Sequence, residues 1–204
     1  MKPRLLFVSL FLLTAITGCM TTRNGNKSDN PFPESGRYNQ KVVAVLPVTS
    51  QKGITTDSRT PLKKSLNVKI AVVVKERLSR SKIVQWQESL EMLNDAGKLE
   101  LVDKLLTGYE TTGAYDKKII ASLNSALKAD FIIIPQLKIE SMDMKIAKTF
   151  VSSLEVSFID KSHSEPIWSG IGDFKRFGAY GLGGTETDEA ANELVSLAFG
   201  DSEQ

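Results

Sequence analysis

The chain has 204 residues, with 26 basic and 24 acidic side chains, one histidine and one cysteine. This near-neutral balance argues against a nucleic-acid binder. A lone cysteine excludes an internal disulfide and a thiolate metal cluster.

Residues 1–18 have the order of a bacterial lipoprotein signal peptide. Lys2 and Arg4 form a basic start, and Leu5 to Ile16 is an apolar run of 12 residues. That run falls short of the about 20 residues a membrane span needs and suits a secretory h-region. It ends in Ile16-Thr17-Gly18-Cys19, which is aliphatic, hydroxylated, small, cysteine. The expectation is cleavage before Cys19, addition of diacylglycerol and palmitate there, and attachment to a membrane through the N-terminal lipid. Met20, where an aspartate would mark inner-membrane retention, points to the periplasmic face of the outer membrane. Removing residues 1–18 leaves 186 residues with 24 basic and 24 acidic side chains, so the sequence pI of about 8.5 overstates the basicity of the mature chain.

Lipidated residue 19 and residues 20–40 read as a flexible tether, because the segment is polar and holds Asn, Ser, Gly and two prolines. Extended, residues 20–40 would reach about 70 Å. Residues 41–204 read as one α/β domain. Lys41 to Thr49 is a continuous apolar run, expected as a buried strand. Thr60-Pro61 opens a helix to about Arg80, with Leu62, Leu66, Ile70, Val73, Val74 and Leu78 on one face. Lys82 to Trp86 is a short strand, and helical stretches follow at 87–94, 100–106 and 114–128. Phe131 to Ile139 is a second buried strand, in which Pro135 predicts an edge position or a bulge. Phe150 to Ile159 alternates as a half-buried antiparallel strand, and Ile167 to Phe174 returns after a turn at 160–166. Thr185 to Phe199 closes the chain as a helix, with Thr185 and Asp188 spaced as a weak capping box. The predicted architecture is a single, three-layer-like domain with a mixed sheet flanked by helices.

Charge is uneven along the chain. Residues 41–82 carry ten basic and two acidic side chains, and residues 150–204 carry three basic and ten acidic. Mutual neutralisation within one fold is the simpler reading, and recognition of a partner is the other. No catalytic constellation, metal set or cofactor motif emerges. His163 sits in a polar turn without a second histidine. The loop holding Gly178, Tyr180, Gly181, Leu182 and Gly183 precedes a helix but matches no phosphate-binding pattern. It is expected instead as a partner-contact loop. Asp143, Glu155, Asp160 and Asp173 are scattered. Trp168 and Phe174 share one strand face, with Gly170 and Gly172 between them, and read as packing.

Several motifs together resemble a group of periplasmic lipoproteins that includes the curli secretion pore subunit CsgG, the peptidoglycan-synthase activator LpoB and the N-terminal domain of TolB. They are Val42-Val43-Ala44-Val45-Leu46-Pro47, Lys82-Ile83-Val84-Gln85-Trp86, Ala129-Asp130-Phe131-Ile132-Ile133-Ile134, and the Ser157-Phe158-Ile159-Asp160 to Ile167-Trp168-Ser169-Gly170 hairpin. Trp86-Gln87 and Pro135-Gln136 stand where the group often has an arginine and a glycine. The resemblance implies a non-enzymatic binding or adaptor module, with another envelope protein as its partner, in assembly, transport or peptidoglycan synthesis. A homo-oligomeric secretion pore subunit is the alternative, and an envelope enzyme the second alternative.

Overall fold

Two long neighbouring strands set the frame of this domain. The computed structural model describes residues 21–26, 32–33, 35–50, 61–143, 148–163, 165–178 and 184–200. In chain order the elements are β1 (Thr21–Asn26), a 3-10 turn (Ser35–Tyr38), β2 (Val42–Val45), β3 (Thr49–Ser50), α1 (Pro61–Arg77), β4 (Lys82–Val84), α2 (Trp86–Asp95), α3 (Leu99–Thr112), α4 (Lys117–Leu127), β5 (Phe131–Asp143), β6 (Lys148–Asp160), β7 (Trp168–Gly178) and α5 (Gly184–Phe199). Strand order is β1-β7-β6-β5-β2-β4, with β3 also pairing β5. The β1–β7, β7–β6 and β6–β5 pairs are antiparallel, while β5–β2, β5–β3 and β2–β4 are parallel. The sheet is therefore mixed.

Alternation along the strands divides the core in two. Phe131, Ile133, Leu137, Leu154, Val156 and Phe158 belong to one cluster with Leu62, Leu66, Ile70 and Val74 of α1 and Ala190, Leu194 and Ala198 of α5. Ile132, Ile134 and Ile159 belong to the other, with Leu93 of α2, Val102 and Leu105 of α3, and Ile120 and Leu123 of α4. Three layers result, because both faces of the central strands are apolar and each needs a cover. At the start of α4, the Asp116 carboxylate accepts from the backbone N–H groups of Lys118 and Ile119, which caps the helix.

Some expectations change. The run from Lys41 to Thr49 is not one strand, since residues 46–48 leave the ladder between β2 and β3. Of the two expectations at Pro135 the bulge holds and the edge does not: between Val45–Ile133 and Thr49–Gln136 the neighbouring strand carries one residue more than β5, opposite Pro135. Pro135 pairs with Val156 in the middle of the sheet. The Leu46 N–H donates to the Ile133 carbonyl and the Thr49 hydroxyl to the Pro135 carbonyl. The missing proline donor thus faces the gap at 46–48, where no ladder bond is needed. α3 runs to Thr112, past the expected 106, and ends at Gly113 with φ 72°, a left-handed position that glycine adopts at low cost. α5 begins at Gly184, one residue before the proposed Thr185 cap, and the Asp188 carboxylate takes a hydrogen bond from Ser65.

Within 19–40, read from sequence as a tether, the described parts lie on the domain. Thr21–Asn26 pairs antiparallel with β7. Phe32 is 2% exposed and lies against Trp168 at 4.7 Å, Phe199 at 5.0 Å and Phe158 at 6.0 Å between ring centroids. Tyr38 is buried against Phe131 and Phe158. Two aromatics outweigh a polar average, because each buries enough apolar area to order its own neighbourhood.

Candidate functional site

Of the residues singled out from sequence, Ile16, Thr17, Gly18 and Cys19 lie outside the described residues, as do Tyr180, Gly181, Leu182 and Gly183. Gly178 ends β7, in register with Lys148. His163 is exposed in its turn, beside the Ser162 hydroxyl at 3.1 Å and the Asp160 carboxylate at 3.4 Å. Burial pushes the Asp160 carboxyl up, but hydrogen bonds from Ser162 and His163 outweigh it and hold the group below its ordinary value. These contacts shape a turn. Among the described residues, no three His, Cys, Asp or Glu side chains gather to hold a metal. Trp168 and Phe174 are buried, and α5 lies on the glycines between them.

An open, partly apolar flank runs along the helix pair α1 and α5. α1 turns Leu62, Leu66, Ile70 and Val74 into the core. That leaves Val68 and Val72, one turn apart, on the outside at 52% and 50% exposure. Two adjoining hollows of about 350 and 360 Å³ run along this flank and share Val68 and Lys69. Pro61, Lys64, Ser65, Thr187 and Asp188 complete the first, and Val72, Val73, Asn192, Val195 and Ser196 the second. The Ser65 hydroxyl donates to Asp188 at 2.5 Å across the helix pair. Helices from the basic and the acidic segments of the sequence therefore meet here, side by side on one sheet face. What remains is a slot with an apolar floor and the Lys64 and Lys69 ammonium groups on the α1 wall.

The opposite sheet face holds a polar cluster that sequence reasoning missed. The Tyr109 and Tyr115 rings stack at 4.1 Å. The Tyr109 hydroxyl donates to the Glu155 carboxylate at 2.9 Å, and Lys138 Nζ approaches its other oxygen at 3.3 Å. Tyr115 bonds the Ser157 hydroxyl at 3.1 Å, and Gln136 Nε2 donates to Glu110 at 2.8 Å. Burial, reinforced by the Glu155 charge, pushes the Tyr109 hydroxyl up to about 12. Burial also raises that of Tyr115. Both stay protonated at neutral pH and act as donors, so neither supplies a base. The cluster fastens α3 and its exit to the sheet. Its polar partners are 17 to 46 positions apart, and no local pattern announces them.

No family model matches the chain, and no curated protein matches it. Solved structures do. Lipoprotein GNA1162 from Neisseria meningitidis is 10% identical, with 74% of this chain and 94% of that one covered and a TM-score of 0.39. The PelC dodecamer from Paraburkholderia phytofirmans is 10% identical, covering 87% and 93%, with a TM-score of 0.40. The LpoB C-terminal domain from Escherichia coli is 13% identical, covering 68% and 84%, with a TM-score of 0.35. LpoB is one of the proteins that the sequence motifs resemble. Identities and scores this low place no ligand, partner or assembly on this chain.

Proposed function

We propose that this chain is a lipid-anchored protein of the outer membrane whose periplasmic α/β domain binds another envelope protein and performs no catalysis of its own. The Ile16-Thr17-Gly18-Cys19 motif supports the anchor. Among the described residues, no helix is long and apolar enough to cross a membrane.

The observation that carries the binding role is the α1–α5 slot, where Val68 and Val72 are half exposed above an apolar floor. Exposed aliphatic pairs bordering a groove mark contact surfaces more often than scattered single residues do. Lys64 and Lys69 on its wall favour a segment of the partner that carries apolar side chains together with acidic ones. The test is a photocrosslinking residue at Val72 in the full chain in intact envelopes, with one at Glu165 as control. A discrete adduct from position 72 alone, abolished by Val68→Glu and weakened by Lys69→Glu, is the expected result. The same adducts from both positions sink the slot as a binding surface. Thermal melting of each variant separates lost binding from lost folding.

A further inference from the structure

Little chain separates Cys19 from the fold. β1 begins at Thr21, where Thr21 pairs with Arg176 and Thr22 with Lys175. A residue spans at most about 3.6 Å, so Cys19 stands within about 7 Å of the first sheet position. β1 runs antiparallel to β7. Its start therefore shares one end of the sheet with the end of β7 at Gly178, the start of β6 at Lys148 and the end of β5 at Asp143. Register places Lys148, Lys175 and Arg176 at this end, against two acidic positions, Asp143 and Glu140. The other end is the turn between Asp160 and Trp168. Strand rise sets it about 40 Å away along β6.

We propose that the acylated domain stands upright on an anionic lipid surface, with the Thr21, Lys148 and Gly178 end of the sheet against the headgroups and the 160–168 turn pointing away. The proposal rests on the lipid-anchor reading above and specifies its geometry. A link of two residues denies the domain the reach of a 21-residue tether. It also holds the three basic positions within about 10 Å of the anchored residue, close to the Debye length of roughly 8 Å at physiological salt, where attraction to anionic lipid operates. The α1–α5 slot then lies on the flank of a fixed body, presented sideways to partners in the same membrane.

The test uses the full lipidated chain in vesicles of phosphatidylethanolamine and phosphatidylglycerol. Acylation consumes the only native thiol, so one introduced cysteine accepts a nitroxide label. Thr149→Cys reports the hairpin end and Glu165→Cys the far turn. Collisions with a water-soluble nickel chelate are expected to fall several-fold at 149 on reconstitution and to stay unchanged at 165. A flexible Gly/Ser insertion between Met20 and Thr21 should restore the nickel collisions at 149. Equal exposure of both labels in acylated protein overturns the upright geometry while leaving the anchor intact. An unmodified Cys19 in the mass of the N-terminal peptide overturns the anchor, and the geometry with it. Undiminished protection at 149 in pure phosphatidylcholine overturns the role of the basic positions.

Discussion

A Cβ added at Gly170 would collide with the Ala198 carbonyl oxygen, and one at Gly172 with the Leu194 carbonyl oxygen. The α5 backbone therefore rests directly on β7, an approach that only glycine permits. Gly170→Ala must lift α5 or bend the strand, with an expected loss of about 1–3 kcal/mol in chemical denaturation. Gly108 is the counter-case, since nothing lies within 4 Å of its would-be Cβ inside α3. Gly108→Ala should raise stability by about 0.5–1 kcal/mol. Tyr109 makes a prediction in pH. Its folded-state value, about 12, lies above the ordinary 10.0. A phenol raised on folding contributes its full stabilisation below the unfolded value and loses it as pH rises through the folded one. Stability should thus fall between pH 10 and about 12, and this alkaline limb should flatten in Tyr109→Phe. An unchanged limb would mean that other groups set it.

The N-terminal segment shows at element scale how average composition misleads. Residues 20–40 are polar as a set, yet Phe32 enters a pocket of Phe158, Trp168 and Phe199, and Tyr38 edges onto Phe131. β1 reads TTRNGN, a sequence with no apolar alternation, and it is a strand because β7 offers a free edge for backbone pairing. Phe32→Ala should cost about 3–5 kcal/mol by urea titration, the usual penalty for truncating a core aromatic. A stability unchanged by that substitution would return the segment to the status of a tether. By contrast α1, β5, β6 and α5 were legible, because each places its apolar residues at the period of its own backbone geometry. Their ends were less so, since Asp116 and Gly113 act through local hydrogen bonding and φ, not hydropathy.

The whole molecule is built around β2 and β5, which lie between two helical layers. Val43, Ala44, Val45, Ile132 and Ile133 are at most 1% exposed. Their amides should exchange with solvent only through global unfolding, while those of the 161–167 turn exchange by local opening. Central amides exchanging as fast as the turn would show that the two clusters open independently. The sequence by itself determined the α/β class, the mixed sheet and the covered strands, because hydropathy period is a local property of the chain. The tertiary structure alone decided the remainder. It seated Phe32, set α5 onto two glycines, joined Tyr109 to Glu155 across 46 positions, and laid the basic helix beside the acidic one. Contacts between distant residues depend on which elements share a sheet face, and strand order rather than local pattern fixes that.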